Sequence, residues 1–110
     1  MLPEAPGPVA LQLEAYNRQD VAAFSACYTD DVLLEDASSG PFVRGRAQLE
    51  ARYGQLFREH PENRARVLNR SIVGSWVFEE EEVSRGGSTF RVFVVYKVRD
   101  GLVERATFYK

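Results

Sequence analysis

The sequence has 110 residues, of which 45% are hydrophobic and 27% are charged, with a formal net charge of -2 and a pI of about 5.4. This length and balance are typical of one globular domain and exclude a chain too polar to fold. Basic residues are scattered among acidic ones and the longest like-charge run is acidic, so no nucleic-acid partner is expected.

The single cysteine, Cys27, excludes an internal disulfide, as expected for a reducing cytoplasm. No stretch approaches the roughly 20 apolar residues that span a bilayer, and the N-terminus lacks the basic start and apolar core of a signal peptide. We therefore expect a cytoplasmic protein with no membrane partner. Three prolines and a glycine interrupt residues 1–8, which are predicted to form a disordered lead before a single domain at 9–110.

The first half of the sequence has helical patterns. Val9, Leu13 and Tyr16 recur at four- and three-residue spacing and form one apolar stripe. Asp20 is predicted to cap a second helix, because its carboxylate can accept a hydrogen bond from a free backbone N–H. This second helix is predicted to end at residues 29–31.

Two short strands and a third helix follow. The strands are predicted at 32–35 and 42–44, on either side of a loop rich in serine and glycine. Gly45 is predicted to open the third helix. That helix is predicted to stop at His60, because the residue before Pro61 disfavours helical backbone.

The second half is predicted to be a meander, with strands at 64–74, 75–84, 89–99 and 102–109. The pair Asp100-Gly101 is a strong hairpin signal between the last two strands. Helices followed by an antiparallel sheet define the α+β class. A bent sheet wrapped around a helix leaves a cone with an open end, where small-molecule pockets form.

The strand predicted at 89–99 is apolar on both faces in its centre. One face carries Phe90, Val92, Val94, Tyr96 and Val98, and the other carries Phe93 and Val95 between basic residues. The helices can cover one face, and the face turned away from them (the outer face) needs a second cover. A second copy of the chain can bury this face through a two-fold interface, so we expect a homodimer. The alternative is that a loop or the N-terminal lead covers it.

Two segments then suggest a family. NRQDVAAFSACYTDDVLLED followed by PFVRGRAQLEARY resembles the opening half of ketosteroid isomerase-like and SnoaL-like proteins of the nuclear transport factor 2-like superfamily. The ending VYKVRDGLVERATFYK resembles their final hairpin. The resemblance implies a cystatin-like cone, with N-terminal helices packed on a strongly curved mixed or antiparallel sheet. This fold hosts isomerases, dehydratases, cyclases and plain binding modules, so it does not fix the activity.

The resemblance also assigns functional positions. Asp36, in the context Leu34-Glu35-Asp36, matches the general base of the isomerases. Gln12 stands where those enzymes place an oxyanion-binding tyrosine, and Val95 stands near their second, acidic donor. The base is therefore matched and the oxyanion hole is not, so steroid isomerase activity itself is not expected.

Each candidate has a structural alternative. Asp36 could remove a proton next to a carbonyl, or it could cap the backbone of the loop that follows it. Gln12 or Tyr16, one helical turn apart, could donate to the substrate oxygen, or Tyr16 could be a core residue. Arg52 could bind a carboxylate ligand or be solvated on the third helix.

Several aromatic residues are candidates to line the pocket, although plain core packing is the alternative. They are Tyr53, Phe57, Trp76, Phe78 and Phe93, and Val95 and Arg52 are also predicted to line the pocket. The glutamates at 79–82 alternate between the faces of a strand, so two can point inward, but a solvated edge is predicted. His60 is the only histidine, and no metal site or cofactor is expected.

The sequence thus predicts a homodimer that binds a small apolar or carbonyl-containing molecule in a cone-shaped pocket. The enzyme hypothesis is a cofactor-independent isomerase or lyase with Asp36 as base. The competing hypotheses are a non-catalytic ligand-binding or dimerisation module and a protein that binds a partner through the outer face.

Overall fold

The computed structural model describes residues 2–110, so Met1 of the predicted lead lies outside the described residues. Within this range, three helices pack against a six-stranded mixed sheet, which confirms the α+β class. The helices are α1 Gly7–Arg18, α2 Val21–Ser25 and α3 Arg46–Glu59. The strands are β1 Tyr28–Asp36, β2 Gly40–Arg44, β3 Arg64–Val73, β4 Trp76–Arg85, β5 Ser88–Arg99 and β6 Leu102–Tyr109.

The sheet runs in the order β2-β1-β6-β5-β4-β3. Strands β1 and β6 are parallel, and every other neighbouring pair is antiparallel. The sheet curls around the helices without closing, so β2 and β3 remain its edges. None of the helices in residues 2–110 has the length and apolar character needed to cross a membrane.

The start of the helical half agrees with the sequence pattern. Helix α1 begins at Gly7, inside the predicted lead, and the carbonyl of Pro3 accepts a hydrogen bond from Arg70 Nη1 at 2.8 Å. Asp20 caps α2 as predicted, because its Oδ1 accepts from the Ala23 N–H at 3.0 Å.

Helix α2 is shorter than predicted. It ends at Ser25, and residues 29–31, which were predicted to end the helix, lie inside β1. The reason is pairing with a strand far away in the chain. Tyr28 is opposite Val103 of β6, and the Val103 N–H donates to the Cys27 carbonyl at 2.9 Å. The β-branched and aromatic side chains at Tyr28, Thr29 and Val32 suit a strand once that partner is present.

The hairpins of the second half are confirmed. Asp100 and Gly101 both have positive φ, 51° and 78°, as the tight hairpin between β5 and β6 requires. The turn between β4 and β5 is shorter than predicted, since Gly86 and Gly87 alone join the two strands.

The glutamates of β4 correct one prediction. Strand β4 lies between β5 and β3, so it is a central strand and not a solvated edge. Glu79 and Glu81 point to the inner face and are 0% and 7% exposed. Glu80 and Glu82 point to the outer face, where they pair with Arg91 at 3.1 Å and Arg66 at 3.0 Å.

Candidate functional site

A cavity of about 480 Å³ lies between the helices and the inner face of the sheet. Aromatic rings form much of its wall, including Tyr16, Phe24, Tyr53 and Phe90. This volume is within the range of small-molecule sites, which are largely apolar with a few placed polar groups. The polar groups of this cavity form a buried deep cluster, a partly buried middle cluster and an exposed group at the mouth.

The deep cluster is a chain of hydrogen bonds through buried side chains. Tyr28 donates its hydroxyl to Gln12 Oε1 at 3.0 Å, and Gln12 Nε2 donates to the Tyr96 hydroxyl oxygen at 3.3 Å. Tyr96 in turn donates to Glu81 Oε2 at 3.1 Å. Burial raises the pKa of both Tyr28 and Tyr96, so the two phenols keep their protons. The chain therefore ends on a carboxyl group that lines the cavity.

That carboxyl group belongs to a close pair. Arg70 Nε donates to Glu79 Oε2 at 2.7 Å, while Glu79 Oε1 is buried without a partner in residues 2–110. Burial, followed by the adjacent Glu79 carboxyl group, raises the pKa of Glu81 to about 8. A carboxyl group with this pKa is present in both its protonated and its ionised form near neutral pH.

The middle cluster contains Tyr16 and Arg85, both in the cavity wall. Arg85 Nη2 donates to the Tyr16 hydroxyl oxygen at 3.1 Å, and Arg85 Nε donates to Asn63 Oδ1 at 2.9 Å. The Tyr16 ring packs against Tyr53 and Phe57, with centroids 6.3 and 5.5 Å away. The hydroxyl group and the guanidinium are thus held at fixed places on the wall.

Asp36 lies at the mouth of the cavity, at the end of β1. Its Oδ1 accepts hydrogen bonds from the backbone N–H groups of Ser38 at 2.8 Å and Ser39 at 3.1 Å. These bonds hold the pKa of Asp36 below its ordinary value, which weakens the carboxylate as a base. The contacts are those of the loop-capping alternative.

The structure brings together five of the residues predicted from the sequence. Gln12, Tyr16, Tyr53 and Arg52 all line the cavity with Asp36. Arg52 is exposed at the mouth, where its guanidinium carbon lies 4.5 Å from the centroid of the Phe42 ring. Both hydrogens of the Gln12 amide are in use, on Tyr96 and on the Val9 carbonyl.

Five predicted lining residues lie elsewhere. Phe57 is a core residue behind the wall, 5% exposed and packed on Phe24. Four others lie on the outer face, because their neighbours along β4 and β5 occupy the inner face: Trp76, Phe78, Phe93 and Val95. The prediction placed these four on the wrong face. Both faces of the strands are apolar, and only the sheet topology tells which one the helices cover.

Sequence reasoning missed Glu81, Tyr96, Tyr28 and Arg85. A signal for two of them was present. Glu81 lies two residues before Val83, and Tyr96 lies two residues after Val94. Each side chain therefore points to the same face of its strand as a buried valine. Glu81 was nevertheless predicted to be solvated, because it belongs to a run of four glutamates.

Nothing in residues 2–110 forms a group of three or more histidine, cysteine, aspartate or glutamate side chains with the spacing of a metal site. His60 Nδ1 lies 3.3 Å from Glu62 Oε1, on the surface. Cys27 is buried, and burial raises the pKa of its thiol. Neither residue adds a nucleophile or a ligand to the cavity.

Helices packed on a curled mixed sheet around an open cavity define the nuclear transport factor 2-like class, which confirms the resemblance seen in the sequence. Within this class the sequence matches the SnoaL-like domain over residues 9–106, so the chain belongs to the SnoaL-like family. No curated protein matches the sequence.

Solved structures share the fold. An uncharacterized cystatin-fold protein from Novosphingobium aromaticivorans is 24% identical, with 94% of this chain and 95% of that chain covered and a TM-score of 0.88. A protein from Sinorhizobium meliloti described as a candidate polyketide cyclase is 19% identical, with 94% of each chain covered and a TM-score of 0.82. An LEH-like epoxide hydrolase from M. tuberculosis is 20% identical, with 93% and 78% covered and a TM-score of 0.80. These identities establish the fold alone.

Proposed function

We propose that the chain binds a small hydrophobic, carbonyl-containing molecule in its cavity and acts on it as a cofactor-independent isomerase or lyase, with Glu81 as the proton-transferring group. The observation that carries this proposal is a buried carboxyl group that lines the cavity while Tyr96 donates to it at 3.1 Å. Structural relatives described as a polyketide cyclase and an epoxide hydrolase support an enzyme that acts on small molecules in this fold.

The proposed chemistry is proton transfer at carbon. The Glu81 carboxylate takes a proton from the carbon next to the carbonyl, and the C–H electron pair moves into an enol or enolate. In an isomerase the same proton returns to another carbon, whereas in a lyase the pair expels a leaving group. A carboxyl group with a pKa of about 8 is better suited to this task near neutral pH than one with a lowered pKa. Glu81 is therefore favoured over Asp36 as the base.

The test is exchange of α-protons in a panel of cyclic ketones in D2O, followed by proton NMR. We expect Glu81→Gln to lower the exchange rate by at least about 100-fold, the usual contribution of general acid–base catalysis. Asp36→Asn should leave the rate within about twofold, since a loop cap does not take part in proton transfer. Glu82→Gln is the matched control, because Glu82 lies on the same strand but on the outer face.

The outcomes separate the hypotheses. Loss of exchange in Asp36→Asn, with Glu81→Gln active, would restore Asp36 as the base. Absence of exchange with the unmodified protein, together with ketone binding, would leave a non-catalytic ligand-binding module.

A second proposal concerns the outer face, and it is that a second copy of the chain covers this face. Large apolar side chains are exposed there: Val73 is 65%, Trp76 39%, Phe93 41% and Tyr109 48% exposed. The rings of Phe93 and Tyr109 lie 6.2 Å apart on neighbouring strands and form part of one patch. Patches of this kind on a small domain are typical of interaction surfaces. The solution mass from light scattering tests the proposal, and a monomer at micromolar concentration would contradict it.

A further inference from the structure

Arg85 projects into the cavity from the end of β4, four residues beyond Glu81. Its partners are neutral: Asn63 Oδ1 at 2.9 Å, the Tyr16 hydroxyl oxygen at 3.1 Å and the face of the Phe90 ring at 5.4 Å. Within residues 2–110 no carboxylate forms an ion pair with this guanidinium. A partly buried positive charge in the cavity wall thus lacks a counter-ion in the protein.

The geometry of the guanidinium shows which donors are free. Nε and one N–H of Nη2 point along one side of the group, toward Asn63 and Tyr16. Nη1 and the second N–H of Nη2 form the other fork, and neither has an acceptor within residues 2–110. The Tyr16 oxygen accepts from Arg85, so its own O–H is also available. This part of the wall offers donors only, and a planar carboxylate is the acceptor that matches such a fork.

The donors are held in place before any ligand arrives. Asn63 is 0% exposed, and its backbone carbonyl accepts from Gln19 Nε2 at 2.7 Å. The Tyr16 ring is packed between Phe24, Tyr53 and Phe57. A site of this kind needs little ordering on binding, which favours affinity.

Arg52, Lys110 and Glu59 also line the cavity, but the two cations are exposed and Glu59 is not the counter-ion of Arg85. Arg52 lies at the mouth and its charge is solvated. The Glu59 carboxylate accepts from Gln55 Nε2 at 3.4 Å and does not pair with Arg85.

We infer that the molecule bound in the cavity carries a carboxylate that is held by Arg85 and Tyr16. The inference rests on the proposed function and adds the substrate class. Four residues along a strand span roughly 13 Å, at about 3.3 Å per residue. The ligand is therefore an elongated apolar acid, with its carboxylate at Arg85, its body against Val83 and Phe90, and its reactive carbon near Glu81.

The test compares acids with their neutral amides. The probes are phenylacetic, 2-naphthylacetic and biphenylacetic acid, each with its primary amide, and calorimetry at pH 7.5 measures binding. In the unmodified protein we expect the best acid to bind about tenfold or more tightly than its amide, as for a charge-assisted hydrogen-bonded pair. In Arg85→Gln this ratio should fall below about twofold. Arg52→Gln tests whether the exposed arginine binds the carboxylate instead, and Arg91→Gln on the outer face is the matched control; both ratios should stay within about twofold of the unmodified value.

Two further variants guard against misfolding of Arg85→Gln. Arg85→Lys keeps the charge and loses the fork, so the ratio should fall to an intermediate value. Tyr16→Phe removes only the hydroxyl and should lower the ratio by about threefold. Circular dichroism and a thermal melt establish that each variant is folded.

The outcomes distinguish the inference from the proposed function. Equal binding of acids and amides by the unmodified protein would overturn the carboxylate inference and leave the cavity function intact. The same holds if the preference survives in Arg85→Gln and Arg85→Lys, or is lost in Arg52→Gln. Failure of all six probes to bind would overturn the carboxylate inference alone, because the ketone exchange experiment decides the proposed function separately.

Discussion

The two faces of β4 carry the same residue type in opposite environments. Glu79 and Glu81 are buried against the helices, Arg70 and Tyr96, whereas Glu80 and Glu82 form ion pairs on the surface. Four consecutive identical side chains therefore differ only in the direction that the strand alternation gives them. The inner pair is buried, with Glu81 in the cavity wall, and the outer pair is screened by water.

This difference shows that position in the sheet, more than residue identity, sets the chemistry of a carboxyl group here. An exposed ion pair contributes little to the stability of the fold, because water and salt screen the two charges. A buried carboxylate must be paired or protonated, because the interior does not solvate its charge. Substitutions in the inner pair and in the outer pair should therefore have effects of very different size.

Replacing Glu79 with alanine should lower the free energy of unfolding by about 3–5 kcal/mol, because Arg70 would be left buried without its partner. The corresponding change Glu80→Ala should cost less than about 1 kcal/mol, since Arg91 and Glu80 are both partly exposed. Urea denaturation of both variants measures the two values. Equal losses would show that burial does not separate the two faces.

Glu81→Gln should change how stability depends on pH. Burial and Glu79 raise the pKa of Glu81 from 4.5 to about 8, so the folded state binds more protons than the unfolded state between these values. The stability of the unmodified protein therefore falls as the pH rises from about 4.5 through 8. The variant lacks this loss, and its relative stability should grow across the window by a few kcal/mol.

Thermal melts between pH 4.5 and 9 check this prediction. Glu82→Gln is the control and should follow the unmodified protein, because Glu82 is on the outer face beside Arg66. A constant difference between Glu81→Gln and the unmodified protein at every pH would contradict the raised pKa.

The smallest effect on the fold is expected on the outer face itself. Phe93→Glu should halve the solution mass, since a charge in the centre of the patch opposes a second copy, while the monomer loses less than about 1 kcal/mol. Leu11→Glu is the matched control: Leu11 is 56% exposed but lies on α1, so the mass should not change. Light scattering measures both, and an unchanged mass for Phe93→Glu would place the interface elsewhere.

Much of the fold was predictable from local patterns. The strands of the second half and the hairpin at Asp100-Gly101 follow from alternation and from turn residues that accept positive φ. The end of α2 was not predictable in this way, because Tyr28 joins a strand through pairing with Val103, far along the chain. The local sequence pattern does not indicate which distant strand a segment will pair with.

The candidate site was predictable only in part. Gln12 was found through the family resemblance, Tyr16 through helical spacing and Tyr53 as an aromatic residue of the third helix. Glu81 was missed because a run of glutamates is typical of a solvated surface. The strand order places β4 in the interior of the sheet, so the inner face of this run is buried. Asp36 bonds the backbone of the loop that follows it, which is the alternative that the Asp, Ser and Gly composition of this segment indicated.

The place of β6 in the sheet has a consequence for synthesis of the protein on the ribosome. β6 lies between β1 and β5, although it comes after both in the chain. Until β6 leaves the exit tunnel, β1 cannot pair on that side and the two halves of the sheet have no strand to join them. Contacts between residues so far apart in sequence form slowly. The nascent chain therefore exposes an incomplete sheet, with the facing sides of β1 and β5 unpaired, until β6 is available.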